Sequence, residues 1–126
     1  MRKIRSLLLL CFFLIVSTIS YAQVYMETFA ISIGEWDYKK KDWNWEPMIY
    51  ENLTFTLNGD LIMVNDLAGS MYVTYAQFTD DKYSTSWRAV DEDDTSCIIG
   101  MSREGEYPFT IYIMYDNIIY KYYFKQ

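Results

Sequence analysis

The chain has 126 residues, of which 52% are hydrophobic and 19% aromatic, and these proportions exclude a disordered protein. It contains no histidine, which excludes a Ser-His-Asp triad, a Cys-His pair and a histidine-ligated metal. Because 17 acidic residues outnumber 11 basic ones, the chain would repel phosphates, and we expect no nucleic-acid partner.

The first 22 residues have the three parts of a secretory signal. Residues 1–6 are basic, residues 7–16 are an unbroken apolar run, and Ser20 and Ala22 occupy the −3 and −1 positions of a cleavage site. The apolar run is shorter than the ~20 residues that span a bilayer. We predict a signal peptide over 1–22 and a secreted or periplasmic protein, which crosses a membrane only during export; an uncleaved anchor is one alternative, and a lipoprotein with Cys11 as its lipid site is a weaker one. Cleavage removes three basic residues and no acid, so the net charge changes from −6 to −9.

From Gln23 onward the hydrophobic residues alternate with period two, as in β-strands. In the first such segment the odd-numbered residues from Tyr25 to Ile33 are expected on one apolar face, interrupted only by Glu27. Gly34 then permits a bulge or bend.

Three of the four tryptophans then fall within ten residues, from Trp36 to Trp45. Trp36 and Tyr38 are expected on one face of a strand, Trp43 and Trp45 on one face of the next, and residues 39–42 form a polar tip. Aromatic surfaces flanked by Asp, Asn and Glu are typical of sugar-binding sites. These four aromatic residues are therefore the candidate ligand-binding site, with ordinary cross-strand packing as the alternative.

Residues 51–65 are predicted to form a β-hairpin whose central dipeptide, Asn58-Gly59, favours a type I′ turn. In that register Phe55 lies opposite Ile62 on one apolar face.

Three further strands, residues 71–78, 83–90 and 96–102, follow this hairpin. Cys97 lies in the last of them, in phase with Ile99 and Met101, and is expected to be buried like most free cysteines; an intermolecular disulfide is the alternative. A catalytic thiolate is not expected, because no histidine is present to activate it. The acidic run of residues 91–95 lacks the ligand spacing of a calcium loop. It is expected to be a solvated turn, with a weak calcium site as the alternative.

Residues 109–124 are predicted to form a second hairpin around a two-residue turn, Asp116-Asn117. This register pairs Ile111 with Tyr122. It places eight large residues on one face: Phe109, Ile111, Ile113, Tyr115, Ile118, Tyr120, Tyr122 and Phe124.

The predicted fold is all-β: a single small antiparallel domain of about eight short strands over residues 23–126, either a meander barrel or a strongly curved sandwich. The predicted function is that of a non-catalytic binding module for a glycan, a peptide or a partner protein, with no cofactor and no metal. A carrier of apolar ligands in a barrel cavity is the alternative. The least favoured hypothesis is a small hydrolase that uses the carboxylate pair Glu35 and Asp37.

Overall fold

The computed structural model describes residues 23–80, 84–104 and 107–125. The predicted signal peptide and Tyr83, the first residue of one predicted strand, lie outside these ranges. The described residues form nine strands: β1 (Val24–Asp37), β2 (Asp42–Trp45), β3 (Thr54–Asn58), β4 (Leu61–Val64), β5 (Met71–Asp80), β6 (Ser84–Asp91), β7 (Ser96–Glu104), β8 (Tyr107–Met114) and β9 (Ile118–Phe124). Within the described ranges there is no helix that is long and apolar enough to cross a membrane.

The strands form a closed antiparallel meander barrel. From β3 to β9 each strand pairs with the next in the chain, and β9 pairs with β1 to close the ring. This closure confirms the predicted all-β fold and decides between the barrel and the curved sandwich. Eight strands form the ring, and β2 pairs only with the end of β1.

Strand β1 holds the barrel together through both of its edges. Residues 28–35 pair with β9 along one edge, whereas residues 24–27 and 34–37 pair with β3 and β2 along the other. A single bridge between Ile31 and Ile49 lies between those two pairings. The end of β1 and the β1–β2 turn therefore lie beside the start of β9.

The predicted faces of β1 are correct only in its second half. The register with β9 shifts between Thr28 and Ala30, so the bulge lies at Phe29 and not at Gly34. Because a bulge reverses the alternation of side chains, Ile31 and Ile33 contact the core while Tyr25 points outward and is exposed. Phe29 is likewise on the outside, where its ring lies 6.3 Å from that of Tyr123.

The interruption at Glu27 has the same explanation. Glu27 lies on the outer side of the strand, and its carboxylate forms an ion pair with the Lys125 ammonium at 3.2 Å. Gly34 serves a close approach instead of a bulge, because a Cβ atom there would lie 2.9 Å from Cγ2 of Ile119 and 3.2 Å from the Trp45 ring.

The predicted register of the first hairpin is wrong by two residues, although its apolar face is right. Phe55 lies opposite Val64 and not Ile62, so the two turn residues are Gly59 and Asp60. Gly59 has a φ of 59° and Asp60 does not have a positive φ. This excludes the type I′ turn, which needs a positive φ at both positions, and matches the glycine-first type II′ turn.

The second hairpin is confirmed residue by residue. Ile111 pairs with Tyr122 and Ile113 with Tyr120, and the backbone N–H of Tyr115 donates to the carbonyl of Ile118 across the Asp116-Asn117 turn. Its inward face meets the first hairpin in the barrel centre, where the Phe55 ring contacts Tyr122 and Phe124 edge-on, at 4.9 and 5.0 Å between centroids. These rings, with the buried isoleucines of β7 and β8, fill the middle of the barrel.

Candidate functional site

A cup of about 570 Å³ opens at one end of the barrel. Its rim comprises the segments that join β4 to β5, β6 to β7 and β8 to β9, and its volume is within the ~300–1,000 Å³ usual for ligand sites. A smaller cavity of about 190 Å³ lies among other residues, including Leu57, Trp87 and Met101. The filled centre of the barrel lies below the cup, which is therefore a shallow site and not a channel.

Four tyrosines line the cup: Tyr72, Tyr115, Tyr120 and Tyr122. Tyr120 and Tyr122 point inward because they alternate with Ile119 and Lys121 along β9. Tyr72 is the second residue of β5, and Tyr115 directly follows β8. The sheet thus brings aromatic side chains from three strands together at one end of the barrel.

Tyr115 is fixed by a carboxylate. Its hydroxyl donates to Oδ2 of Asp91 at 2.8 Å, while Oδ1 of Asp91 accepts from the backbone N–H groups of Asp93 and Thr95 at 2.9 Å each. Desolvation raises the pKa of Asp91, but the hydrogen bonds from Thr95, Tyr115 and Asp93 outweigh it and leave that pKa below its usual value. The acidic run is thus a turn ordered by its first carboxylate, and Asp94 completes it with a φ of 62°.

Tyr72 is buried beside Tyr115. Desolvation is the main cause that raises the pKa of Tyr72 to about 12, and the nearby Ser70 and Tyr115 hydroxyls lower this pKa by less. Tyr72 therefore stays protonated at neutral pH, and its hydroxyl can donate a hydrogen bond.

Tyr122 has the least usual environment of the four. Tyr122 is only 6% exposed, and its hydroxyl has no hydrogen-bond partner among the described residues. Among the described residues, every fully enclosed side-chain polar atom has a hydrogen-bond partner. Since the Tyr122 hydroxyl has no partner, it is not fully enclosed, and it opens into the cup that Tyr122 lines. Desolvation is the largest cause that raises the pKa of Tyr122 above its usual value, followed by its electrostatic interactions with Tyr72 and then with Asp66.

The rim of the cup carries four carboxylates: Asp66, Asp91, Glu92 and Asp116. Asp66 orders its own loop by accepting from the backbone N–H and the hydroxyl of Ser70, at 3.0 and 2.7 Å. Oε2 of Glu92 accepts from the backbone N–H of Met71 at 3.1 Å. Of the described residues that line the cup, none is basic.

The three tryptophans predicted as a binding site come together on the outer wall of the barrel. Trp36 lies opposite Trp43 with ring centroids 5.1 Å apart in an edge-on arrangement, and Trp45 lies opposite Gly34. Trp45 is 47% exposed, and the Lys121 ammonium lies 5.9 Å from its ring. The tryptophans therefore cover the end of β1 and still present part of their area to solvent.

Tyr38 does not share this face as predicted. It lies in the turn between β1 and β2, is 74% exposed, and makes no ring contact with the tryptophans. The turn is held by Asp37, whose Oδ1 accepts from the backbone N–H groups of Lys39 and Lys40 at 2.9 and 3.1 Å. The Lys40 backbone bond, the Asn44 side chain and the Lys39 backbone bond lower the pKa of Asp37. This carboxylate therefore stabilises a turn, whereas Glu35 is exposed.

Cys97 is buried on the inner face of β7, as predicted. Desolvation, followed by the charge of Asp91, raises the pKa of its thiol to about 11. A thiol with this pKa is protonated at neutral pH and is a poor nucleophile.

Comparison with protein-family models, with curated proteins and with solved structures gave no match. The sequence predicted the inward face that carries Tyr115, Tyr120 and Tyr122, but it did not predict a cup. The signal was present in the acidic segments that precede or follow these inward tyrosines, namely residues 91–94 and Asp116.

Proposed function

We propose that the protein is a non-catalytic binding protein and that the tyrosine cup is its ligand site. The observation that carries the proposal is the hydroxyl of the buried Tyr122, which opens to the cup and has no hydrogen-bond partner among the described residues. A ligand with a polar group would supply the missing hydrogen bond, which is worth ~0.5–1.5 kcal/mol net.

Binding without catalysis is supported by the state of the reactive groups. The chain has no histidine, the Cys97 thiol is buried and protonated, and the Asp37 carboxylate is engaged by backbone N–H groups. With the predicted export signal, the proposal is an exported ligand-binding module of the secreted or periplasmic space.

The polar lining favours a polar ligand over the apolar one that a carrier would hold. Aspartate and glutamate side chains and tyrosine hydroxyls surround the cup, whereas the apolar interior below it is filled by its own side chains. An apolar ligand would bury these polar groups without compensation.

The test is an NMR titration of the protein labelled with carbon-13 in its tyrosine rings. Methyl glucoside, choline and acetate serve as neutral, cationic and anionic probes. We expect at least one probe to shift the resonances of the four cup tyrosines and leave the exposed Tyr25, Tyr50 and Tyr75 unchanged. If no probe shifts the cup tyrosines, or all tyrosines shift alike, the cup is not a ligand site.

A second candidate site is the tryptophan surface of Trp36, Trp43 and Trp45, together with Tyr38 in the adjacent turn. The exposure of Trp45, which is 47% accessible, favours it, because aromatic faces stack on the CH faces of a glycan. Acrylamide quenching of tryptophan fluorescence, followed by a glycan array with Trp43→Ala and Trp45→Ala, tests this site. If both variants remain folded and retain every glycan signal, the tryptophans are structural only.

A further inference from the structure

We propose that the ligand of the tyrosine cup is an organic ammonium cation. The inference rests on the proposed function of the cup and specifies the charge class of its ligand. It is carried by the combination of inward tyrosine rings, a rim of carboxylates and the unpartnered Tyr122 hydroxyl within one cavity.

The aromatic lining suits a cation. The faces of aromatic rings attract ammonium groups within about 6 Å of the ring centre, and quaternary ammonium ligands are recognised in this way by several aromatic rings together. Tyr72, Tyr115, Tyr120 and Tyr122 come from three different strand ends and meet in this cavity, so they can surround such a group from several sides.

The negative charge of the rim also favours a cationic ligand. Asp66, Asp91, Glu92 and Asp116 surround the opening, and no described lining residue is a lysine or an arginine that would neutralise them. Asp116 has no hydrogen bond within the described part of the chain, and Glu92 uses one oxygen for a backbone N–H. Carboxylates in a concave site focus a negative potential, which attracts cations and repels anions.

The unpartnered hydroxyl adds a requirement beyond charge. An ammonium ligand that also carries a hydroxyl or carbonyl would bond with Tyr122 at the floor of the cup while its cationic end lies near the rim. Choline has both groups. A lysine side chain in a peptide has the same ammonium chemistry with backbone carbonyls nearby, so a free cation and a peptide-borne cation are two sources of one ligand chemistry.

Calorimetric titration with choline, with its uncharged isostere 3,3-dimethyl-1-butanol and with N-acetyl-lysine methylamide tests the inference. Choline or the lysine amide should bind at least about tenfold more tightly than the isostere, the factor expected for one cation–aromatic contact together with nearby carboxylates. The tighter of the two cations identifies the source. If neither cation binds more tightly than the isostere, the cation inference is overturned and the cup remains a ligand site, whereas no binding in this titration and no tyrosine shift in the NMR titration would overturn both.

Three variants separate a local charge effect from loss of fold. Glu92→Gln keeps an acceptor for the Met71 N–H, and Asp116 makes no hydrogen bond that Asp116→Asn would remove. Each should weaken cation binding about three- to tenfold and leave binding of the isostere unchanged. Asp60→Asn makes the same change of charge in the turn between β3 and β4, away from the cup, and should alter neither. If Asp60→Asn weakens binding as much as the cup variants do, the effect belongs to net charge and the inference fails.

Discussion

Two tyrosines of the cup, Tyr115 and Tyr122, show how one residue type serves stability in one position and binding in another. The Tyr115 hydroxyl is committed to Asp91 at 2.8 Å and helps to order the turn after β6. The Tyr122 hydroxyl is committed to nothing in the described chain and is held in place by the packing of its ring on Phe55. The first tyrosine is part of the scaffold, and the second is available to a ligand.

This difference predicts that the same substitution, tyrosine to phenylalanine, changes the stability of the protein differently at the two positions. Tyr115→Phe removes one hydrogen bond and should lower the free energy of unfolding by about 1 kcal/mol. Tyr122→Phe removes no hydrogen bond within the described part of the chain and should leave the free energy of unfolding unchanged or slightly higher. It should weaken the binding of any ligand in the cup. Urea unfolding of both variants measures this, and a larger loss for Tyr122→Phe than for Tyr115→Phe would contradict the assignment.

At the scale of elements, the two hairpins show what the sequence could predict. The hairpin of β8 and β9 follows from strict alternation up to a two-residue turn, so every pair was predicted correctly. In the hairpin of β3 and β4 the same alternation fixed the apolar face, but not the turn. Gly59 can be the first or the second turn residue, and the choice shifts the register by two without moving any side chain to the other face. The bulge at Phe29 left only the polar interruption at Glu27 as a signal, and that interruption does not locate the bulge, because a bulge is fixed by the pairing partner, β9.

The hairpin of β1 and β2 depends on the carboxylate at its turn. Asp37→Ala removes the acceptor of two backbone N–H groups and of the Asn44 amide, so the edge-on contact of Trp36 with Trp43 should loosen. We expect the near-ultraviolet circular dichroism of the tryptophans to fall while the far-ultraviolet spectrum persists, since β2 lies outside the closed ring.

Acid should have the same effect as this substitution. The pKa of Asp37 is lowered in the folded protein, so its contribution is complete above the unfolded value of about 4 and is lost as the pH falls through the lower folded value. Glu35→Ala, on the same strand and exposed, is the matched control and should leave the tryptophan signal intact at pH 7. An unchanged signal in Asp37→Ala would show that the tryptophan pair holds the hairpin without the turn.

At the scale of the whole molecule, the cup was hidden from the sequence because no segment contains it. Its tyrosines come from β5, the end of β8 and β9, and its acids from three loops, so the site exists only after the ring closes. The sequence showed the inward face of β9 but treated its tyrosines as apolar residues, and it marked the tryptophan cluster because that cluster is contiguous. Contiguous features were therefore predicted and assembled ones were missed.

Burial of the cup tyrosines predicts a loss of stability in alkali. Desolvation raises the pKa of Tyr72 to about 12, and the pKa values of Tyr115 and Tyr122 are raised as well, mainly by the same cause. An unfolded chain loses these protons near pH 10, so the stabilising contribution is complete below pH ~10 and declines as the pH rises above it. The urea midpoint should therefore fall between pH 9 and pH 11, and less so in Tyr72→Phe. A midpoint with the same pH dependence in Tyr72→Phe would show that other groups control the alkaline transition.

The pairing of β1 with β9 also has a consequence for how the chain folds. The strands that close the ring are the first and the last of the described strands, so the pairing with the greatest sequence separation waits for β9. Non-local pairings of this kind slow folding, and until β9 arrives one edge of β1 offers unpaired N–H and C=O groups to any passing strand. A chain that ends before Ile118 would keep that edge and expose a second one on β8, so aggregation of truncated chains is built into this topology.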